Sequence, residues 1–522
     1  LRLGGSLAPA HIISEAVTLD YLANSAGLRE FFPAHFTQGK GRRRFKMDRE
    51  RVVKCLRDYN EKMNAPSRVM ESIDSLLDED TYVVVSGQQP GVFSGPLYTV
   101  YKALSAIVIS HRLSHHGRRF IPLFWNASED HDLSEVDHIY LMEKNKPCRI
   151  RYPIKGASRS AFEVKLDLRE IKKVLEKIEE ITPQTEFKED ILKNLEVLAR
   201  QSENLGDFFS RLLLFFFGHH GLVLIEPRIL RPLMIPLFEK MIKNPLRSTE
   251  LVNRAAARLK KRGYSPRIHK TPHLCGFFLK RKKVTYNGKF LVGGKSFSSR
   301  ELLQWLEENP FDFSSNVVTR PITQDYTLPT YAYVAGPSEI AYFAQLGEVY
   351  QEFGIEMPLI YPRFGATILE NKVAKIIKKY GLAIPDLRSP ASGIKKLLKE
   401  ELGPLFARAR DDVSKVLLPM AETVGQIDET LGDSFQASEK KIFREIDSLE
   451  KRAVRCLRKQ NSVMELQIYN AAENLFPLGD LQERKINFLE YLIKFGHDFV
   501  EVIHREFSSS NYGEHRVITF PG

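Results

Sequence analysis

The sequence predicts an α/β fold: a Rossmann-like parallel sheet core with connective insertions, followed by a C-terminal helical coiled-coil domain. Three observations carry this. The β-branched and aromatic run Thr81–Val85 leads through a turn-rich stretch, Ser86–Gly95, into apolar residues at helical spacing: Leu97, Val100, Tyr101, Leu104, Ile107 and Val108. A second apolar run, Phe120–Trp125, closes a βαβ unit, for which a right-handed connection and a parallel sheet are the rule. After the Pro385–Pro390 linker the pattern changes to long helices.

The remaining elements follow in order. Phe162–Glu203 is charged and helical, as in an insertion packed on the core, and Leu222–Ile225 reads as another buried strand. Val284–Val292, with Asn287 and Gly288 in its middle, predicts a small hairpin. Tyr331–Val334 and Pro358–Tyr361 return to the sheet. In the arm, Val424, Ile427, Leu431, Phe435, Ser438, Ile442, Ile446, Leu449, Ala453 and Leu457 recur at spacings of three, four and four, an 11-residue repeat that predicts a straight or slightly right-handed supercoil. Glu439, Lys440, Lys441, Arg444 and Glu445 would form its charged outer face. One helix cannot bury such a stripe alone, so Ile394–Leu418 running antiparallel and a second protomer are both expected against it, giving a homodimer. The expected boundaries are 1–385 for the core, with insertions at about 150–215 and 245–315, then 386–475 for the arm and 476–522 for a segment returning to the core.

The chain has 522 residues, 43% hydrophobic and 27% charged, which suits globular structure and more than one folded unit. Lys and Arg outnumber Asp and Glu by 77 to 65, a net charge of +12 that favours anionic partners. The basic residues are dispersed, and the tight run Arg42–Arg44 is too short for a nucleic-acid groove, so small anions are expected rather than nucleic acid. Cys55, Cys148, Cys275 and Cys456 form no CxxC pair, which suits a reducing compartment. No apolar run reaches the roughly 18 residues of a membrane span. A cytoplasmic protein without membrane contact is expected.

Three stretches carry chemistry. In Ser86–Gly95, Gly87, Gly91 and Gly95 are spaced by four before a helix, with Pro96 expected at its first position. Neither the Walker nor the dinucleotide spacing is present, yet glycines before a helix N-terminus can let an anion approach the backbone, and Lys102 would add charge. The alternative is a tight structural turn. In Asn126–Glu135, Glu129, Asp130, His131 and Asp132 crowd the C-terminal end of a strand, where folding gains nothing obvious from them. They suit proton transfer or amine binding, a divalent ion held by Asp130, His131 and Asp132 with His138, or simple capping. In the third stretch, Arg320, Gln324 and Asp325 precede a strand that breaks at Gly336 and Pro337 before another helix, where Glu339 would be the third residue of a capping box.

The strings SGQQPGVFSGPLYTVYKALSAI, FWNASEDHDLSEVDHI, RPITQDYTLPTYAYVAGPSEIAYFAQL and NLFPLGDLQERKINFLEYLIKFG resemble, in the same order, those of the cysteine-adding enzyme family of bacillithiol synthesis, BshC. Ala335 stands where that family would have a glycine, and Phe343 where it would have a tryptophan. The resemblance implies a core related to class I aminoacyl-tRNA synthetases and nucleotidylyl transferases. HIGH-like and KMSKS-like signatures are both absent: Ser94–Tyr98 occupies the position of the first without histidines, and Arg363–Lys372 lies near the position of the second.

The implied reaction is a carbon–nitrogen ligation joining the carboxyl of L-cysteine to the amino group of glucosaminyl malate, with ATP or another nucleotide as the expected co-substrate. Mg²⁺ would accompany the nucleotide, and no resident metal site is assigned. In this reading Gly91, Gly95 and Lys102 bind phosphate or carboxylate, while Asp130, His131 and Asp132 hold and deprotonate the attacking amine. Arg320, Gln324, Asp325 and Glu339 line the facing wall, and Arg363 meets an anion. Gln88, Gln89, Tyr98, Asn126, Glu129, Gly336, Tyr342 and Gln345 complete the expected substrate- or nucleotide-binding set. Two rivals are a metal-dependent hydrolase built on Glu129–Asp132 and a non-catalytic, synthetase-like nucleotide-binding scaffold.

Overall fold

The computed structural model describes residues 5–39, 41, 45, 47–114, 118–129, 133–154, 160–427 and 429–520. Two five-stranded sheets organise the larger unit. Their strands, in chain order, are β1 (Thr81–Gln88), β2 (Arg119–Asn126), β3 (Val223–Ile225), β4 (Leu274–Leu279), β5 (Lys282–Tyr286), β6 (Phe290–Val292), β7 (Lys295–Phe297), β8 (Phe313–Ser315), β9 (Thr330–Ala335) and β10 (Leu359–Pro362). The core sheet is wholly parallel in the order β10–β9–β1–β2–β3, with Val85 opposite Leu123 on one side and Tyr333 on the other. Every residue of β1 except Gln88 is buried. Such a continuous apolar run is what a parallel strand covered on both faces requires.

The chain leaves β1 in one direction through β2 and β3, then crosses to the other side for β9 and β10. The strand order therefore reverses between β1 and β9, and in open parallel sheets ligands bind in the crevice beyond the strand ends at such a point. The helices that bear on the site and the arm are α1 (Leu97–Leu113), α2 (Leu168–Ile181), α3 (Lys188–Arg200), α4 (Leu205–Phe217), α5 (Arg320–Thr327), α6 (Pro337–Phe343), α7 (Pro390–Ile427), α8 (Glu429–Gln460) and α9 (Asp498–Ser509). In α1 the run Thr99–Ser110 is buried without a break, so this mostly apolar helix is enclosed on all faces by the core, with Lys102 its one buried charge. The predicted hairpin is β5–β6, turning at Gly288 with φ +75°, and it belongs to an antiparallel sheet β7–β6–β5–β4–β8 whose other strands the pattern did not disclose. Pro96 occupies the cap position rather than the first helical position of α1.

Residues 368–482 form the body of a second unit, in which α7 and α8 pack along each other. Arg410 meets Asp447 and Glu450, a pairing that antiparallel helices produce. The expected seam is corrected in register. Ile442 and Leu449 are 39% and 53% exposed, and Ser438 is exposed, whereas Phe435, Glu439, Phe443, Ile446, Glu450, Ala453 and Leu457 are the half-buried face. That face steps by four, four, three, four, three and four, close to a heptad rather than an 11-residue repeat. Glu439, expected on the outer face, is part of it. No helix among the described residues is long and apolar enough to cross a membrane.

Candidate active site at the switch point

A cavity of about 400 Å³ opens at the C-terminal ends of the core strands. Gln88 at the end of β1 and Gln89 after it, Ala127 and Glu129 after β2 and Pro227 after β3 form one side. Arg320 of α5, Tyr333 of β9, and Glu339 and Tyr342 of α6 form the second, while Lys270, Phe278, Arg281 and the Ser314–Val317 turn close the third. A larger hollow of about 490 Å³ lies elsewhere, but its cations are already paired, Arg247 with Glu352 and both Arg254 and Arg258 with Glu348. The switch-point cavity is thus the better candidate on chemistry.

Its floor is a continuous polar network. Lys102 reaches from α1 to Glu339 at 2.6 Å and also donates to the Gly87 carbonyl and to Gln88 Oε1, both at 3.0 Å. Glu339 accepts from the Gly336 backbone N–H and from the Tyr333 hydroxyl, each at 2.8 Å. Arg320 donates to the Tyr342 hydroxyl at 2.9 Å. Burial opposes charge on Glu339, but Lys102 and these donors outweigh it and hold its pKa below the ordinary carboxylate value. Burial pulls the Lys102 ammonium down, with Glu339 resisting, and pushes the Tyr342 hydroxyl up to about 12. On the third wall, burial and then the neighbouring Lys283 lower the pKa of Lys270, and no ion-pair partner of Lys270 is present among the described residues. An under-compensated cation facing a cavity suits an anionic ligand.

The expected site residues divide sharply. Gln88, Gln89, Glu129, Arg320, Glu339 and Tyr342 line the cavity, and Glu129 is paired with the buried Arg231. Asp130, His131 and Asp132 lie outside the described residues. Gly91 and Gly95 do not form an open cradle. Asn487, from the returning C-terminal segment, donates to the Phe93 and Gly95 carbonyls at 2.9 and 2.5 Å, and the Leu97 N–H at the start of α1 donates to the Ile486 carbonyl at 2.9 Å. The first helical N–H is thus spent on the protein itself. Phe93, Ser94 and Gly95 all have positive φ, which this clamp holds in place. Lys102 is buried and is spent on Glu339 and on Gly87 and Gln88 at the start of that stretch, away from Gly91 and Gly95.

Tyr98 accepts from Gln88, and Asn126 is tied to Gly206 and Ser210. Gln324 bridges Arg320 and Asp325, and Asp325 accepts from Tyr350, so these two stand behind the wall. Gly336 caps α6, and Gln345 holds the backbone of Arg267 and Ile268. Arg363 is neutralised by the buried Glu483 and is no free anion site. Lys270, Arg281, Tyr333 and Phe278 were not expected at the site. The apolar run Leu274–Leu279 was the available signal that a further sheet carries a wall to the cavity.

Comparison with known proteins bears on the whole chain. Residues 9–364 match the family described as bacillithiol biosynthesis BshC, N-terminal Rossmann-like domain, and residues 366–520 match its C-terminal coiled-coil domain. A relative from Salinibacter ruber named "Putative cysteine ligase BshC" is 33% identical over 503 residues, 91% of each chain. Relatives of the same name from Bacillus cereus and Bacillus cytotoxicus are 31% and 30% identical, each over 97% of this chain and 98% of theirs. With both domains matched in order and the switch-point crevice lying within the Rossmann-like one, the chain belongs to the BshC family of bacillithiol biosynthesis.

Proposed function

We propose that this protein is a cytoplasmic cysteine ligase that joins the carboxyl of L-cysteine to the amino group of glucosaminyl malate, giving bacillithiol. The observation that carries this reading is the switch-point cavity itself, in a member of this family: a polar floor faces Lys270, which suits an anionic substrate such as one bearing a malate unit, while Arg281 on the same wall is paired with Glu163. Condensing a free carboxylate with an amine in water is uphill, so the cysteine carboxyl needs activation, for which ATP or another nucleotide with Mg²⁺ is the proposed co-substrate. Its phosphates are not assigned to the glycine loop, whose α1 N–H group at Leu97 is already bonded.

The attacking amine must first lose a proton. His131 is proposed as the base, with Asp130 and Asp132 attracting the ammonium, because an imidazole titrates near neutrality and the stretch directly follows cavity-lining Glu129. A homodimer through the arm is part of the same reading, supported by Leu418, Ile427, Leu431, Ile442 and Leu449, which are exposed on the second unit. Light scattering should give twice the 59.9 kDa chain mass. The test of function is incubation with cysteine, glucosaminyl malate and ATP, followed by mass spectrometry. Bacillithiol should form, and His131→Asn should slow its formation about 100-fold. Absence of product with folded protein, or near-normal turnover in the variant, would overturn the reaction or the base respectively.

A further inference from the structure

Away from the cavity, the turn after α4 and the helix α9 bring together His219, His220, Glu501 and His504. His219 and His220 follow one another in a short 3₁₀ turn, and Glu501 and His504 are three apart on α9, hence on one face. One Glu501 carboxylate oxygen lies 3.4 Å from His219 Nε2 and 3.6 Å from His220 Nε2. The three donor atoms fall within 4.8 Å of one another. The His504 ring centroid is 4.6 Å from that of His220. The Nε2 atoms of His220 and His504 are both buried without a hydrogen-bond partner. Buried polar atoms are rarely left in that state, and two in one cluster ask for a ligand.

We infer that His219, His220 and Glu501 form a three-donor binding site for a divalent transition-metal ion, with zinc the best fit. Zinc bonds to imidazole nitrogen and carboxylate oxygen at about 2.0–2.2 Å, so neighbouring donors of a tetrahedral site stand roughly 3.3 Å apart. The two His–Glu separations already lie close to that value. Two imidazole nitrogens and one carboxylate oxygen are a borderline donor set that suits zinc over magnesium or calcium. Three protein donors leave the fourth tetrahedral position to water, beside the His504 ring that packs on His220. Its place is a staple between the end of α4 and the C-terminal segment, and it does not depend on the ligase reading.

The test is zinc chloride titrated into the untagged, chelator-stripped full chain, followed by calorimetry, metal analysis and thermal melting. One equivalent should bind and raise the Tm by several degrees, as any ligand specific for the folded state must. His220→Ala and the exposed-site variant Glu501→Gln should each weaken binding at least about tenfold and lose the Tm rise, with circular dichroism confirming their fold. Failure to bind one equivalent, or uptake that survives unchanged in folded Glu501→Gln, overturns the proposal. Magnesium chloride in place of zinc should bind no tighter to the parent protein than to the variants; a selective magnesium response would overturn the assignment of the metal class.

Discussion

Two neighbouring strands of the core, β1 and β9, end in the same local grammar, a glycine and a proline ahead of a helix, yet the two turns have opposite fates. After β1 the turn is strained, and Asn487 and Ile486 of the same chain occupy its carbonyls and the Leu97 N–H. After β9 the turn is closed by its own Glu339, whose carboxylate then faces the cavity and is charge-balanced from below by Lys102. A glycine turn at a sheet edge therefore does not announce a ligand. What decides is whether another part of the protein has already filled it, and that is a long-range fact.

The largest effect that would sharpen this contrast is at the junction of the two turns. Lys102→Ala should leave Glu339 buried and unpaired and cost about 3–5 kcal/mol in denaturant unfolding, because removing one partner strands the other charge. A loss under about 1 kcal/mol would mean that water or a ligand, not Lys102, balances Glu339. Next, Asn487→Ala should cost about 1–3 kcal/mol by leaving the Phe93 and Gly95 carbonyls without their donor, with KM for each substrate unchanged. If KM rises instead while stability holds, the sealed turn is a binding element and the contrast fails.

The smallest change in stability is expected at the third wall. Lys270→Ala should alter unfolding by no more than about 0.5 kcal/mol yet raise KM for the anionic amine substrate about tenfold, equivalent to about 1.4 kcal/mol of binding. Unchanged KM would remove Lys270 from the site.

Much of this architecture was legible in the residues. Strands β1, β2, β3, β9 and β10 are read from their apolar runs because a doubly covered parallel strand has no polar face to dilute the signal. Gln88, Gln89, Glu129, Arg320, Glu339 and Tyr342 were legible because they follow or flank those strand ends. Lys270 and Phe278 were not, since they come from short strands and a loop of an inserted sheet whose residues alternate weakly. The clamp by Asn487 was invisible for another reason: a single asparagine carries no pattern, and its partners are chosen by tertiary contact. In the arm, Ile442 and Phe443 are adjacent and both apolar, so spacing alone could not say which one faces α7. The half-buried face of α8 contains Phe443.

The Asn487 clamp also has a bearing on the birth of the molecule. It joins residues separated by 394 positions in the chain. A ribosome making this protein releases the strained turn after β1 long before the asparagine that holds it exists, so that turn stays unsecured while the whole arm is synthesised. Until the last segment arrives the nascent core lacks these long-range bonds, so full stability of the turn is a late event in synthesis.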